Sequence, residues 1–264
     1  MVFVGYKTSK GVVDMKIIFH DSFLQNYCSD PAASTGRLDP ALSKLQGKYE
    51  FITPEPCTEE DILLAHSPGH LESESRNKTI FNMSKLAAGA AISSARLAWS
   101  SDPAFGLLRP PGHHASPDHC WGFCFFNNVA IAVKKLFQEN KIKKSVIIDF
   151  DLHFGDGTYN IFSADPQVDY LHAQGRDRDS FVGSIKDFLD GKECDIVAVS
   201  AGFDRHKEDW GGLLHTEDYR KIGEILGSFA REKCRGRLFA VLEGGYNPRS
   251  LGESMAAFIE GVES

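Results

Sequence analysis

Residues 145–158 read SVIIDFDLHFGDGT. The first part, Ser145 to Phe150, is a nearly unbroken apolar run of one strand's length, rich in β-branched residues. Such a run belongs to a strand buried on both faces, as in a parallel sheet covered by helices. Its character then reverses. Asp149 and Asp151 stand at the strand end, followed by His153 and Asp156 among glycines. In open parallel sheets, ligands bind beyond the carboxyl ends of the strands. Acids and an imidazole gathered at that point make the segment a candidate site as well as a strand.

Further strands are read outward from it: Ile17 to Phe19, ending at His20 and Asp21; Ala104 to Leu108, stopped by Arg109-Pro110-Pro111-Gly112; Asp195 to Ser200; and Leu238 to Leu242. Two prolines cannot continue a ladder. Helices are expected over the Ala-rich residues 84–99, over 125–139 where apolar spacing is helical, and from Thr216 to Lys233 with Thr216 as cap. A last helix begins at Asn247-Pro248, a cap followed by an N1 proline, and runs to about Val262. Apolar strands alternating with helices give the α/β class, with a mostly parallel sheet flanked by helices. No Pro-, Gly- or Ser-rich linker divides the 264 residues, so 1–264 is read as a single domain.

Composition narrows the function. The formal net charge is −7 and the only basic cluster is Lys141, Lys143 and Lys144. That is not the footprint of a phosphate-backbone binder, and direct nucleic-acid binding is not expected. The six cysteines are scattered, without a CxxC pair, as in a reduced cytoplasmic protein rather than a disulfide framework. The first twenty residues carry no signal-peptide h-region, and no segment has the length of apolar chain that spans a membrane.

Four strand ends carry the chemistry: RPPGHHA with His113 and His114, DLHFGDGT with Asp151, His153 and Asp156, AGFDRH with Asp204, and EGGYN with Tyr246. Asp151 and His153 are two apart, so in an extended segment their side chains point the same way and can share a metal ion. Asp204 is the best-placed third ligand. Two carboxylates and one imidazole leave coordination positions open, which suits a catalytic ion. Asp149 and Asp156 supply one carboxylate for each of His113 and His114, and an acid behind an imidazole fixes its tautomer. Tyr246 is a candidate donor to a developing oxyanion. Dinucleotide, Walker and nucleophile-elbow patterns are absent, and Cys124 reads as a packed thiol.

The stretches FGLLRPPGHHA, GFCFFNNVAIA, IDFDLHFGDGTYNIF, VSAGFDRHKEDWGGL and VLEGGYN, with weaker IIFHDSF and EEDILLAHSPGHL, resemble the zinc-dependent histone deacetylase superfamily, including acetylpolyamine amidohydrolases and acetoin-utilisation proteins. The resemblance implies an arginase–deacetylase type of fold and hydrolysis of an acetylated lysine or amine. It implies one Zn²⁺ per chain on Asp151, His153 and Asp204, His113 and His114 as acid–base pair backed by Asp149 and Asp156, and Tyr246 on the scissile carbonyl. It implies Phe123, preceded by Gly122, along one wall of the acyl channel. It also implies a structural K⁺ held by Asp149, by carbonyls of Asp151 and His153, and by the segment at Tyr170-Leu171.

Departures from the family pattern set further expectations. Phe154 stands where a second histidine is usual, and Gly155 where two-metal ureohydrolases of the same fold have an acid. The segments between His66 and Ser84 and between His172 and Asp195 are short, and no residue is read as the opposing aromatic wall. An open site is expected, or one completed by a second subunit of a homo-oligomer. Gly211 falls where polyamine-selective relatives carry a gating glutamate. Besides the enzyme, two readings stay open: an acyl-lysine-binding pseudoenzyme, opposed by the retained set of functional residues, and a two-metal ureohydrolase.

Overall fold

The structure is a computed structural model, and it describes residues 14–100 and 102–264. The stretch 1–13, part of the reading against a secretory leader and of the single-domain assignment, lies outside the described residues.

Seven strands form one sheet: β1 (Lys16–Ile18), β2 (Phe51–Ile52), β3 (Ala104–Gly106), β4 (Ser145–Asp149), β5 (Val168–His172), β6 (Ile196–Ala201) and β7 (Leu238–Leu242). The order across the sheet is β2-β1-β3-β7-β6-β4-β5, and every pairing is parallel. The helices are α1 (Asp39–Leu45), α2 (Glu59–Ile62), α3 (Pro68–Glu74), α4 (Lys78–Ser100), α5 (Asn128–Gln138), α6 (Asp156–Phe162), α7 (Arg178–Leu189), α8 (Thr216–Cys234) and α9 (Pro248–Glu263).

Every residue of β4, β6 and β7 is buried. Successive side chains on a strand point to opposite faces, so burial of all of them means that both faces are covered. The cover comes from two helix pairs, α4 with α5 and α8 with α9, each of which also touches the sheet. Small residues let α8 and α9 approach closely. A side chain at Gly223 would come within 2.2 Å of the Phe258 carbonyl, and one at Gly227 within 2.3 Å of that of Val262. Phe105, Phe150, Phe203 and Phe258 interlock edge-on and tilted in the core.

The expected helices are all present, with adjusted ends. The cap of α8 is His215, one residue before the expected Thr216. The Thr216 hydroxyl lies 3.3 Å from His206 Nε2, and Asp218 accepts from the His215 N–H instead. At the other end, Asn247 caps α9 through its side chain as expected. All six cysteines are free thiols. Among the described residues, no helix is long and apolar enough to cross a membrane.

Candidate active site

The four strands with chemistry at their ends, β3, β7, β6 and β4, are contiguous in the sheet. The loops that leave them therefore meet at one edge. Beyond β4 the chain winds around its own carboxylates. The Asp151 N–H donates to Asp149 Oδ1 (3.1 Å), the His153 N–H to Asp151 Oδ1 (2.9 Å) and the Leu152 N–H to Asp204 Oδ1 (2.9 Å). From β7, the Gly244 N–H donates to Asp151 Oδ2 at 2.8 Å. Only glycine fits there, since a Cβ would sit 2.5 Å from Asp151 Oδ2 and 2.6 Å from Asp204 Oδ2.

Asp151, His153 and Asp204 are brought together, with one ligand atom from each lying within 4.8 Å of the others. His153 Nδ1 is 3.3 Å from Asp204 Oδ2 and 3.4 Å from Asp151 Oδ1. Asp204 Oδ2 is buried without a hydrogen-bond partner, whereas buried carboxylate oxygens are ordinarily satisfied. Burial and the neighbouring Asp151 push the Asp204 carboxyl up, and the two carboxylates hold the His153 imidazolium up at about 9. An unsatisfied oxygen, paired acids and an imidazole fit a divalent cation. Another His/Cys/Asp/Glu group formed by His113, Cys124 and Glu243 adjoins this one. Cys124 is buried as expected, and burial pushes its thiol well up.

His113 and His114 are both buried and each has its carboxylate. His113 Nδ1 is 3.0 Å from Asp149 Oδ2, and His114 Nδ1 is 2.7 Å from Asp156 Oδ1. Burial opposes charge on His113, but Asp151 and Asp149 outweigh it and hold its imidazolium well above the ordinary value. Burial and then the adjacent His113 push His114 down to about 4. The two rings thus sit in opposite electrostatic settings, the arrangement from which acid and base roles arise. Burial keeps the Tyr246 phenol protonated far beyond neutrality, so it is a donor.

These groups line a cavity of about 120 Å³, walled by Phe123, Trp121 and Trp210. Gly122 and Phe123 both adopt left-handed backbone, with φ of 61° and 66°. A Cβ at Gly122 would lie 2.4 Å from the His114 ring. Phe123 stands edge-on to Tyr246 and Trp210, at centroid distances of 6.0 and 6.5 Å. The expectation of a missing aromatic wall is corrected here. Trp210, in the loop after Asp204, supplies it within the chain, because Asp209 accepts from both the Tyr246 and Asn247 N–H groups (2.7 Å each) and draws that loop over β7. At Gly211 a side chain would meet the Arg205 backbone at 2.7 Å, so this position has no room for a gating glutamate.

One of the positions implied for K⁺ is already taken. Arg205 already places a cation there: Nε donates to the Asp151 carbonyl (3.1 Å), and Nη2 to the Leu152 carbonyl (3.1 Å). Asp149 Oδ2 is engaged by His113 and by the Tyr170 hydroxyl (3.1 Å), while Oδ1 takes the Asp151 N–H and faces His172 Nδ1 at 3.8 Å. The position beside Asp149 holds an imidazole, for β5 pairs His172 with Asp149.

Sequence reading missed several residues that build this site. Trp121 lies against the His114 ring (3.9 Å between centroids) and donates to Asp156 Oδ2 at 2.8 Å. Buried Arg37 donates to the carbonyls of Glu243 and Gly245, 2.7 Å each, and so braces the turn before Tyr246. Glu243 is buried and accepts from the Gly112 N–H (2.7 Å) and the Ser200 hydroxyl (3.1 Å), tying three strand ends together. Glu243, like Trp210, stood inside a recognised motif and Trp121 one residue before another; nothing local marks Arg37.

Comparison with known proteins agrees with this geometry. The profile of the histone deacetylase domain matches residues 32–187 and 178–262. A probable deacetylase of Methanothermobacter thermautotrophicus is 29% identical over 81% of this chain and 79% of its own. Histone deacetylase 14, chloroplastic, of Arabidopsis thaliana is 34% identical over 67% of this chain and 52% of its own. Polyamine deacetylase HDAC10 of Mus musculus is 28% identical over 87% of this chain and 44% of its own. The crystal structure of the HDA15 HD domain superposes with a TM-score of 0.78 over 95% of this chain and 90% of that one, at 24% identity, which gives the arginase–deacetylase type of fold. With the family profile matched along most of its length, the chain belongs to the histone deacetylase family.

Proposed function

We propose that the protein is a zinc-dependent amidohydrolase that removes acetyl, or a related acyl group, from a lysine side chain or a similar primary amine. The observation that carries the reading is the convergence, at one narrow aromatic-walled cavity, of the Asp151–His153–Asp204 cluster, two His–Asp pairs and the Tyr246 phenol.

Asp151, His153 and Asp204 would hold the Zn²⁺, which when bound supplies Lewis-acid polarisation and activation of water. The chain's own residues do the rest. Asp149 and Asp156 fix Nδ1 of His113 and His114, leaving Nε2 of each to move protons: one from the attacking water, one to the departing amine. The Tyr246 hydroxyl donates to the carbonyl oxygen as negative charge builds on it. Phe123 and Trp210, edge-on to one another at the wall of the cavity, would flank the aliphatic stem of the substrate. The absence of a carboxylate at Gly211 favours lysine-type over polyamine substrates.

The test is deacylation of acetyl-lysine peptide, acetylputrescine, acetylspermidine and a longer acyl-lysine, before and after chelation and zinc restoration. Turnover lost on chelation and regained with zinc supports the reading, and the preferred member names the substrate class. Absence of turnover across the panel in zinc-loaded protein would overturn it in favour of an acyl-lysine binder.

A further inference from the structure

A second group of metal-ligating side chains lies outside the active site. His70 and Glu74 stand four residues apart on α3, hence on one helix face, and Cys120 approaches them from the loop that follows His114. One ligand atom from each lies within 4.8 Å of the other two. His70 is buried, and its Nε2 is 2.8 Å from the Phe125 carbonyl. A carbonyl can only accept, so Nε2 carries the proton and Nδ1 keeps its lone pair. That is how imidazole ligands are oriented in metal sites.

We propose that His70, Glu74 and Cys120 bind a second divalent ion, Zn²⁺ by the chemistry of the set, separate from the one at Asp151, His153 and Asp204 and with its remaining position left to water. Thiolate and imidazole together favour zinc over hard cations such as Mg²⁺ and Ca²⁺, and two anionic ligands with one neutral ligand balance a divalent charge. Burial and then the Glu74 carboxylate push the Cys120 thiol up to about 12. A bound divalent ion reverses that setting and displaces the thiol proton to solvent as the sulfur coordinates.

The ion would act as a clip. The loop from Ser116 to Asn127 is already lashed to the segment around α3. His66 Nδ1 is 2.9 Å from the Ser116 carbonyl, the Asn127 N–H donates to His66 Nε2 (2.9 Å), and the Ser67 N–H donates to the Pro117 carbonyl (2.7 Å). Between these ties the loop carries Trp121, Gly122 and Phe123 to the cavity. An ion on Cys120 fixes the residue next to Trp121, whose indole packs on His114 and donates to Asp156.

Titration of the metal-free full chain with Co²⁺ tests this, because a thiolate–cobalt bond gives a near-ultraviolet charge-transfer band that carboxylate and imidazole ligands do not. The expected result is two ions per chain with the band in wild type. Cys120→Ser takes one ion and loses the band; Asp204→Asn takes one ion and keeps it; Cys124→Ser keeps it. If Cys120→Ser fails to fold, Glu74→Gln, at the partly exposed end of α3, serves with the same expectation of weakened band and second equivalent. A wild type without the band, or a band lost with Cys124→Ser rather than Cys120→Ser, overturns the proposal. Since Asp204→Asn reads the catalytic ion and Cys120→Ser the clip, failure of one assignment is distinct from failure of the other.

Discussion

The indole of Trp210 lies flat against the phenol ring of Tyr246, with centroids 3.9 Å apart and planes at 20°. One face of the tyrosine ring is thereby occupied, and Arg37 lies 5.2 Å from the ring centroid. The hydroxyl is aimed by packing as well as by its own backbone. Trp210→Ala should raise KM about tenfold, the worth of one stacked aromatic contact, and should lower kcat as well because the phenol gains freedom. Trp210→Phe should recover most of both. Steady-state kinetics on the preferred substrate measures this; unchanged KM in Trp210→Ala would remove the tryptophan from the channel wall.

Tyr246→Phe removes a single oxygen atom and leaves the stack intact. If that oxygen holds the developing oxyanion, kcat should fall about 10²- to 10³-fold while KM changes little. Metal content and melting temperature should stay at wild-type values, which separates loss of a hydrogen bond from loss of the site.

Asp204 and Asp151 are two buried acids with a shared neighbour in His153, and Asp204 Oδ2 has no partner of its own. Like charges held together in a low-dielectric interior repel. Asp204→Asn should therefore melt higher than wild type when both are metal-free. It should lose the stabilisation that wild type gains on adding zinc, which rises with ligand excess as binding linkage requires. Thermal melts of both proteins, with and without zinc, give the comparison.

Arg205 puts a permanent positive charge against the carbonyls that lead to His153. Exchange of K⁺ for Na⁺ at constant ionic strength should leave wild-type activity and melting temperature unchanged. Arg205→Met should weaken zinc binding about 10- to 100-fold, the usual effect of losing an outer partner of a metal ligand, as read by competition with a chromophoric chelator. A wild type that needs K⁺ for stability would show that the guanidinium does not replace the ion.

Much of this site was legible because its chemistry is written locally. Asp151, His153, His113 and Tyr246 each stand within a few residues of an apolar strand end, so a reading of strand ends finds them and the sheet brings them together. The central strands β4, β6 and β7 were legible for the same reason: all their side chains are buried, so the runs are apolar throughout. Edge strands gave less signal. Val168–His172 is buried only at its ends, and Phe51–Ile52 is too short to show any period. The wall at Trp210 and the brace at Arg37 depend on contacts between residues far apart in sequence. The amino acid at either position does not announce its partner.

The strand order has a consequence for how the protein comes into being. Of the described strands β7 is made last, yet it lies between β3 and β6 in the middle of the sheet. During synthesis the earlier strands emerge with a slot between them. Until β7 fills it, Asp151 lacks the Gly244 N–H and the cavity lacks Tyr246. A ribosome-bound chain stalled short of residue 238 thus has an exposed sheet edge on each side of that slot, open to mispairing and to chaperones.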